Sequence, residues 1–243
     1  MKIGLFLALF GDKSLAEALD AAKQEGIEAV EIGVGAYPGG GHLANLSTLL
    51  ESEDARQELK EEIESRGLTL SALSCHGNPI HPDPAVAMPH HEAFVNAVTL
   101  AGKLGVQCVN GFSGCPGDHA GAKFPTCPWP DEFRTILDYQ WNEVAIPYWK
   151  EQNQFLEDKN VNFCIEMHPG FLCYNNATLL RLRAEAGARI GANFDPSHLW
   201  WQGIDPIAAV LEIAREGALF HVHAKDTRID LYNAARNGTL DTR

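Results

Sequence analysis

The 243-residue chain has no C-x-x-C pair among its six cysteines, Cys75, Cys108, Cys115, Cys127, Cys164 and Cys173. That spacing excludes a zinc ribbon. With three of the six inside predicted strands, it points to a reducing cytoplasm rather than a disulfide framework. Basic residues are few: 19 Lys and Arg stand against 32 Asp and Glu, a formal net charge of −13. Such a surface is unsuited to nucleic acid or to an anionic membrane. No apolar run approaches the length of a membrane span. The opening stretch, Met1 to Phe10, carries one lysine and otherwise leans apolar. It lacks a small-residue cleavage site and runs into Gly11 and Asp12, so it reads as a first buried strand and not as a signal peptide. A dinucleotide-binding G-x-G-x-x-G is missing too. The nearest match, G-V-G-A-Y-P from Gly33, fails at its sixth position and leads into a loop.

What is present is an alternation of strand-like and helix-like segments, in a chain whose 45% apolar content suffices for a sizeable core. Strands are predicted at Ile3 to Leu9, Ala29 to Gly33, Leu68 to Cys75, Val106 to Asn110, Val161 to Met167, from Ile190, and at Leu219 to Ala224. Ser14 and Glu17 form a capping box that opens the first helix. Further helices are expected from Glu53 to Arg66, Glu92 to Leu104, Phe133 to Asp158 (kinked or divided at Pro147), Ala177 to Ala186, and from Asp205-Pro206 to Gly217. Glycines 26, 67, 105, 187 and 217 close five of them. The segment Gly111 to Pro130, rich in Gly, Pro and Cys, reads as a lid over the strand ends, with Trp129 as its large aromatic. Seven β-α repeats without a compositional break demand a parallel sheet in a single domain. Polar groups at several strand ends favour a TIM-type (β/α)8 barrel over an open doubly wound sheet. The tail Thr227 to Arg243 has no apolar alternation long enough for an eighth strand, so the barrel is expected to be truncated after strand seven.

The organising stretch is I-G-A-N-F-D-P-S-H-L-W-W, Ile190 to Trp201. Ile190, Ala192 and Phe194 share one parity and face outward helices; Asn193 and Asp195 share the other, and His198 follows at the turn. A carboxylate and an imidazole at one strand end suit a divalent metal or a polar substrate, although an Asp that opens a turn and a His that lines it would look the same. In V-N-F-C-I-E-M-H the inward parity takes Asn162, Cys164, Glu166 and His168. In L-F-H-V-H it takes His221 and His223. Polar side chains on a buried face are costly unless paired or bound to something. Three consecutive strands carry them near one end, which makes Glu166, Asp195 and His223 the best metal-ligand set. Glu31, His76 and Asn110 are lesser candidates for a polar pocket at the barrel mouth. His42 reads as surface; His81, His90 and His91 read as loop or helix-start residues, and His119 sits in the lid. Lys225 and Lys123 are placed to meet a phosphate but read equally as surface lysines.

Four pieces, I-E-M-H-P-G from Ile165, F-D-P-S-H-L from Phe194, H-V-H-A-K-D from His221 and more loosely S-C-H-G from Ser74, resemble the xylose-isomerase-like TIM barrels, the sugar isomerases and epimerases whose wider superfamily includes endonuclease IV-type enzymes. The resemblance covers essentially the whole chain. It implies Glu166 as metal ligand and acid/base, Asp195 and His223 as ligands, and His198 as substrate contact or further ligand. It also implies a second glutamate on a strand eight, beyond Arg243. The expected activity is a divalent-metal-dependent isomerisation or epimerisation of a sugar or sugar derivative, with His198, His76, Asn110, His168 and Trp129 around the substrate. Mixed carboxylate and imidazole ligands suit Mn²⁺, Co²⁺, Mg²⁺ or Zn²⁺ alike. A metal-dependent phosphodiesterase is the alternative; it would favour a histidine where strand four has Asn110, and a basic track. A non-catalytic sugar-binding barrel is the third reading. A small-molecule sugar is the expected partner, with homo-oligomerisation open.

Overall fold

The computed structural model describes residues 2–126 and 133–239. Seven parallel strands pair in chain order: β1 (Gly4–Phe6), β2 (Ala29–Gly33), β3 (Thr69–Ser74), β4 (Cys108–Gly111), β5 (Asn162–Glu166), β6 (Ile190–Phe194) and β7 (Leu219–Val222). Around them run α1 (Leu15–Gln24), α2 (Leu46–Glu51), α3 (Glu53–Glu64), α4 (Pro84–Leu104), α5 (Arg134–Asp138), α6 (Ile146–Lys159), α7 (Asn176–Ala186), α8 (Ser197–Trp200), α9 (Pro206–Arg215) and α10 (Leu231–Asn237). The sheet curls into a half-barrel of TIM type, with β1 and β7 at its two edges. The inner strands β2 and β6 are buried on both faces, whereas both edge strands keep partial exposure. No described helix is long and apolar enough to cross a membrane.

The strand pleat decides what faces the helices. On β5, Phe163 packs against Phe94 of α4, edge to face at 5.1 Å, and stacks at 4.8 Å on Trp149 of α6. All three rings are essentially fully buried, and burying one such side chain contributes roughly 1.5–3 kcal/mol. The opposite parity is left to polar groups on the concave face.

Several elements differ from the sequence-based expectation. The first strand stops at Phe6, and Leu7–Phe10 wind into a 3-10 turn. Helix α4 begins eight residues before Glu92: Asp83 caps it through Ala85 N and Pro84 occupies the first turn, while Pro89 forgoes one hydrogen bond inside it. His90 and His91 are therefore helical. His90 Nδ1 accepts from Asn78 N, and His91 Nδ1 lies 2.9 Å from the Tyr148 hydroxyl. His42 is no free surface residue, since its Nε2 lies 3.1 Å from the Phe10 carbonyl. The helix expected from Phe133 to Asp158 is divided. Between α5 and α6, Tyr139–Ala145 widen into a π-helical stretch just ahead of Pro147, whose missing N–H cannot continue an α-helical ladder. Among the described residues the tail forms no strand but does form α10, capped by Asp230.

Candidate functional site

Every group on the concave face is delivered by a strand or by the residues just past its carboxyl end. Glu166 closes β5, Asp195 and His198 follow β6, and His223 follows β7. Their approach is close. Glu166 Oε1 is 3.0 Å from His198 Nε2, and Oε2 is 3.0 Å from His223 Nδ1. Asn193 Nδ2 donates to the same Oε2 at 3.3 Å, and its Oδ1 is 3.0 Å from His221 Nδ1. Ligating atoms of Glu166, Asp195 and His223 all lie within 4.8 Å of one another; so do those of a second group, Glu31, His221 and His223.

His76, two residues past β3, is held by a backbone bridge in which Tyr37 N donates to its carbonyl and its own N–H donates to the Tyr37 carbonyl. Its Nε2 lies 3.3 Å from Glu166 Oε2 but out of line for a hydrogen bond, so both ring nitrogens are buried without a directed partner. Asp195 is likewise half-satisfied. Oδ1 accepts from Ser197 N, whereas the buried Oδ2 has only Lys225 Nζ at 2.8 Å, again out of line, and His198 Nε2 at 3.5 Å. His198 Nε2 also stands 3.2 Å from Lys225 Nζ. A single ring nitrogen either donates to Glu166 or accepts from the ammonium, so these contacts compete.

Asn110 lies deeper, on β4, and donates to Glu31 Oε2 at 2.8 Å. His168 Nδ1 is 2.6 Å from the Pro169 carbonyl, and its ring stands 4.2 Å from that of His198. Trp129 falls outside the described residues. The segment after β4, expected to act as a lid, is tied down as far as the described residues reach: Trp149 Nε1 donates to the Ser113 carbonyl, and Gln140 Nε2 to those of Pro116, Gly117 and Thr126.

Sequence reasoning missed the apolar walls. Phe112, just past β4, meets His76 at 4.8 Å, His168 at 5.4 Å and Phe171 at 4.4 Å. Phe6 stacks on His223 at 5.7 Å. Asn193, inward by strand parity, links β5 to β7 through its contacts with Glu166 and His221.

The electrostatics follow from these contacts. Burial alone would raise the Glu166 carboxyl, but hydrogen bonds from His198 and His223 and the nearness of His76 hold it far below the usual carboxylate range. Burial opposes a charged His223, yet its bonds to Glu166 and Glu31 prevail and lift it to about 10. Glu31 is lowered despite burial by that same imidazole. His168 and His221 are lowered, first by burial and then by neighbouring imidazoles. The face thus holds an ionised carboxylate pair bridged by one imidazolium, beside neutral imidazoles.

A divalent ion fits this donor set. Asp195 Oδ2 and His76 Nε2 are buried without a directed hydrogen bond, and carboxylates mixed with imidazoles suit several first-row metals.

Residues 19–239 match the family model described as xylose isomerase-like TIM barrel. The protein YfiH of Bacillus subtilis (strain 168) is 39% identical over 249 aligned residues, covering 100% of this chain and 78% of YfiH. The rhizopine catabolism protein MocC of Rhizobium meliloti is 27% identical over 96% of this chain, which spans 63% of MocC. Among solved structures, an L-ribulose 3-epimerase superposes with a TM-score of 0.66 at 20% identity, over 94% of this chain and 74% of that one. The matched span, the sequential parallel sheet and the 39% identity agree: the chain belongs to the xylose isomerase-like TIM barrel family.

Proposed function

We propose that the protein is a divalent-metal-dependent isomerase or epimerase acting on a sugar or sugar derivative. The observation that carries this reading is the convergence of Glu166, Asp195 and His223 from three neighbouring strands, with Asp195 Oδ2 left without a directed partner. These three residues would hold the ion, His76 and His198 standing beside them. The ion would supply polarisation of a substrate carbonyl, which acidifies the adjoining C–H.

The chain's own groups do the rest. Glu166 turns Oε2 toward His223 and Oε1 toward His198, so one oxygen would be available to hold the ion and the other to accept the proton. His198 fixes that second oxygen and stands where a substrate hydroxyl would come. Phe112 and Phe6 offer flat apolar surfaces to the C–H face of a sugar and exclude water from the reacting carbon.

A phosphodiesterase would draw on the nearness of His76 to Glu166. Asn110, occupied with Glu31, and the acidic net charge both speak against it. The test is titration of Mn²⁺ and Zn²⁺ into the wild-type protein and the Glu166→Gln variant, with proton–deuterium exchange next to the carbonyl of a panel of ketoses as the second readout. Tight binding and exchange by the wild type, both lost on substitution, are expected. Unchanged binding and exchange in Glu166→Gln would remove Glu166 from the site.

A further inference from the structure

The two candidate ligand groups share a single residue, His223, and its two ring nitrogens face opposite ways. Nδ1 points to Glu166 Oε2 at 3.0 Å, and Nε2 points to Glu31 Oε2 at 2.9 Å. Carboxylates only accept hydrogen bonds, so both contacts at once require a proton on each nitrogen. An ion on this ring must displace one of those protons and leave the other in place.

Which one is displaced follows from the ligand atoms left open on either side. Glu31 Oε2 already receives two donors, His223 Nε2 and Asn110 Nδ2, the latter at 2.8 Å. Glu166 Oε2 likewise receives two, His223 Nδ1 and Asn193 Nδ2, so the two facing oxygens are equally filled. What differs is what stands beside them. On the Glu166 side a second carboxylate oxygen, Asp195 Oδ2, and an imidazole nitrogen, His76 Nε2, are both buried with no directed hydrogen bond. On the Glu31 side the other imidazole, His221, has its Nδ1 engaged with Asn193 Oδ1. Open ligand atoms from two further residues therefore lie toward Nδ1.

We propose that Glu31 is a positioning residue for the metal centre: it holds the proton on His223 Nε2 and thereby aims the Nδ1 lone pair at the Glu166–Asp195 side. The inference rests on the metal-dependent reading above and assigns a role to a residue that touches neither ion nor substrate. A carboxylate behind a ligating histidine fixes its tautomer and ring orientation and raises its basicity. Glu31 is suited to this by its place in the fold. It lies on β2, fully enclosed, and Asn110 on β4 fixes its carboxylate from the side. Its Oε1 is buried with no partner, so an ion bound instead by Glu31, His221 and His223 through Nε2 is the competing arrangement.

The test uses the full chain with Zn²⁺ as the probe. Nitrogen-15 spectra of histidine-labelled protein, with His223 identified by its loss in His223→Gln, should place Zn²⁺ on Nδ1 and retain the proton on Nε2. Ligation through Nε2 would overturn the proposal. Calorimetric Zn²⁺ affinity should weaken by about 10-fold in Glu31→Gln, which keeps the side-chain shape, and by up to about 100-fold in Glu31→Ala. Equal affinity of wild type and Glu31→Gln would overturn the role of Glu31 while leaving the metal centre intact. A wild-type protein that binds no Zn²⁺ would overturn the metal-dependent reading and this inference together. The nitrogen-15 result on the wild type decides the matter even if the alanine variant fails to fold.

Discussion

The ammonium of Lys225 stands 2.8 Å from Asp195 Oδ2, nearer than His198 Nε2 at 3.5 Å. The lysine side chain is 55% exposed and the aspartate side chain 0%, so an exposed group covers a buried one. On the metal-dependent reading, Lys225 would stand on an approach that the ion would use, and the two would compete. Lys225→Gln should strengthen Mn²⁺ binding, by up to about fivefold given the modest worth of a half-exposed ion pair. Calorimetric titration of both proteins checks this, and equal or weaker binding by the variant counts against the competition.

The imidazolium of His223 ties the metal-free protein's stability to pH. Its folded value, about 10, lies above the ordinary 6.5, so its contribution is complete below about pH 6.5 and is lost as pH rises toward 10. Glu166 is shifted the other way. Its contribution is complete above the ordinary 4.5 and is lost as pH falls below it. The metal-free melting temperature should therefore be highest between about pH 4.5 and 6.5 and decline on the alkaline side. His223→Gln should flatten the alkaline limb; an unaltered limb would show that other groups set it.

If His223 ligates an ion, binding must release the proton on one of its nitrogens. Apparent affinity for Zn²⁺ should therefore increase with pH up to the region of 10. Calorimetry at one pH in buffers of different ionisation enthalpy should report proton release. Zero release would mean that His223 is not a ligand.

Phe112 offers its ring between His76 and His168. If it forms the apolar wall of the sugar site, Phe112→Ala removes ground-state and transition-state contact alike. KM should rise by about tenfold with little change in kcat, the loss of roughly one to two kcal/mol of apolar contact. A fall in kcat at constant KM would assign Phe112 a different part.

Gly191 on β6 lies directly under the ring of Phe220 on β7, where a Cβ would collide with that ring and with the Ala218 carbonyl. Gly191→Ala should destabilise by about 1–3 kcal/mol and displace the strand that carries His221 and His223. Thermal melting checks the first effect and Zn²⁺ affinity the second. Trimming the ring in a Gly191→Ala, Phe220→Leu double variant should recover part of both.

The residues that face one another across the curled sheet were legible because strand alternation is a local property. Glu166, Asn193 with Asp195, and His221 with His223 each stood at the polar parity of an apolar strand, and the fold class followed from the regular recurrence of such strands. The aromatic walls were not legible. Phe6 and Phe112 sit at strand ends, where no period distinguishes a ring over a site from a ring in the core. The pairing of His76 with Tyr37 joins segments 39 residues apart through a loop whose course no local signal sets. The early start of α4 was signalled by Asp83 and Pro84, but Pro89 masked it by imitating a helix breaker. The role of Asn110 became visible only with Glu31, its partner 79 residues away.

The bond from His223 to Glu31 joins residues 192 positions apart and runs from the end of β7 to the middle of β2, across the hollow rather than along the wall. In mechanical terms it is a chord drawn across an arc. Backbone ladders set the spacing between neighbouring strands, while this side-chain link, with that of Asn110 to Glu31 beside it, ties strands that are not neighbours. Tension in such a chord passes through one imidazole ring. The chord lies on the Nε2 side of that ring, so with an ion on Nδ1 it would stay in place, and slow amide exchange along β7 is where its hold on the sheet would be measured.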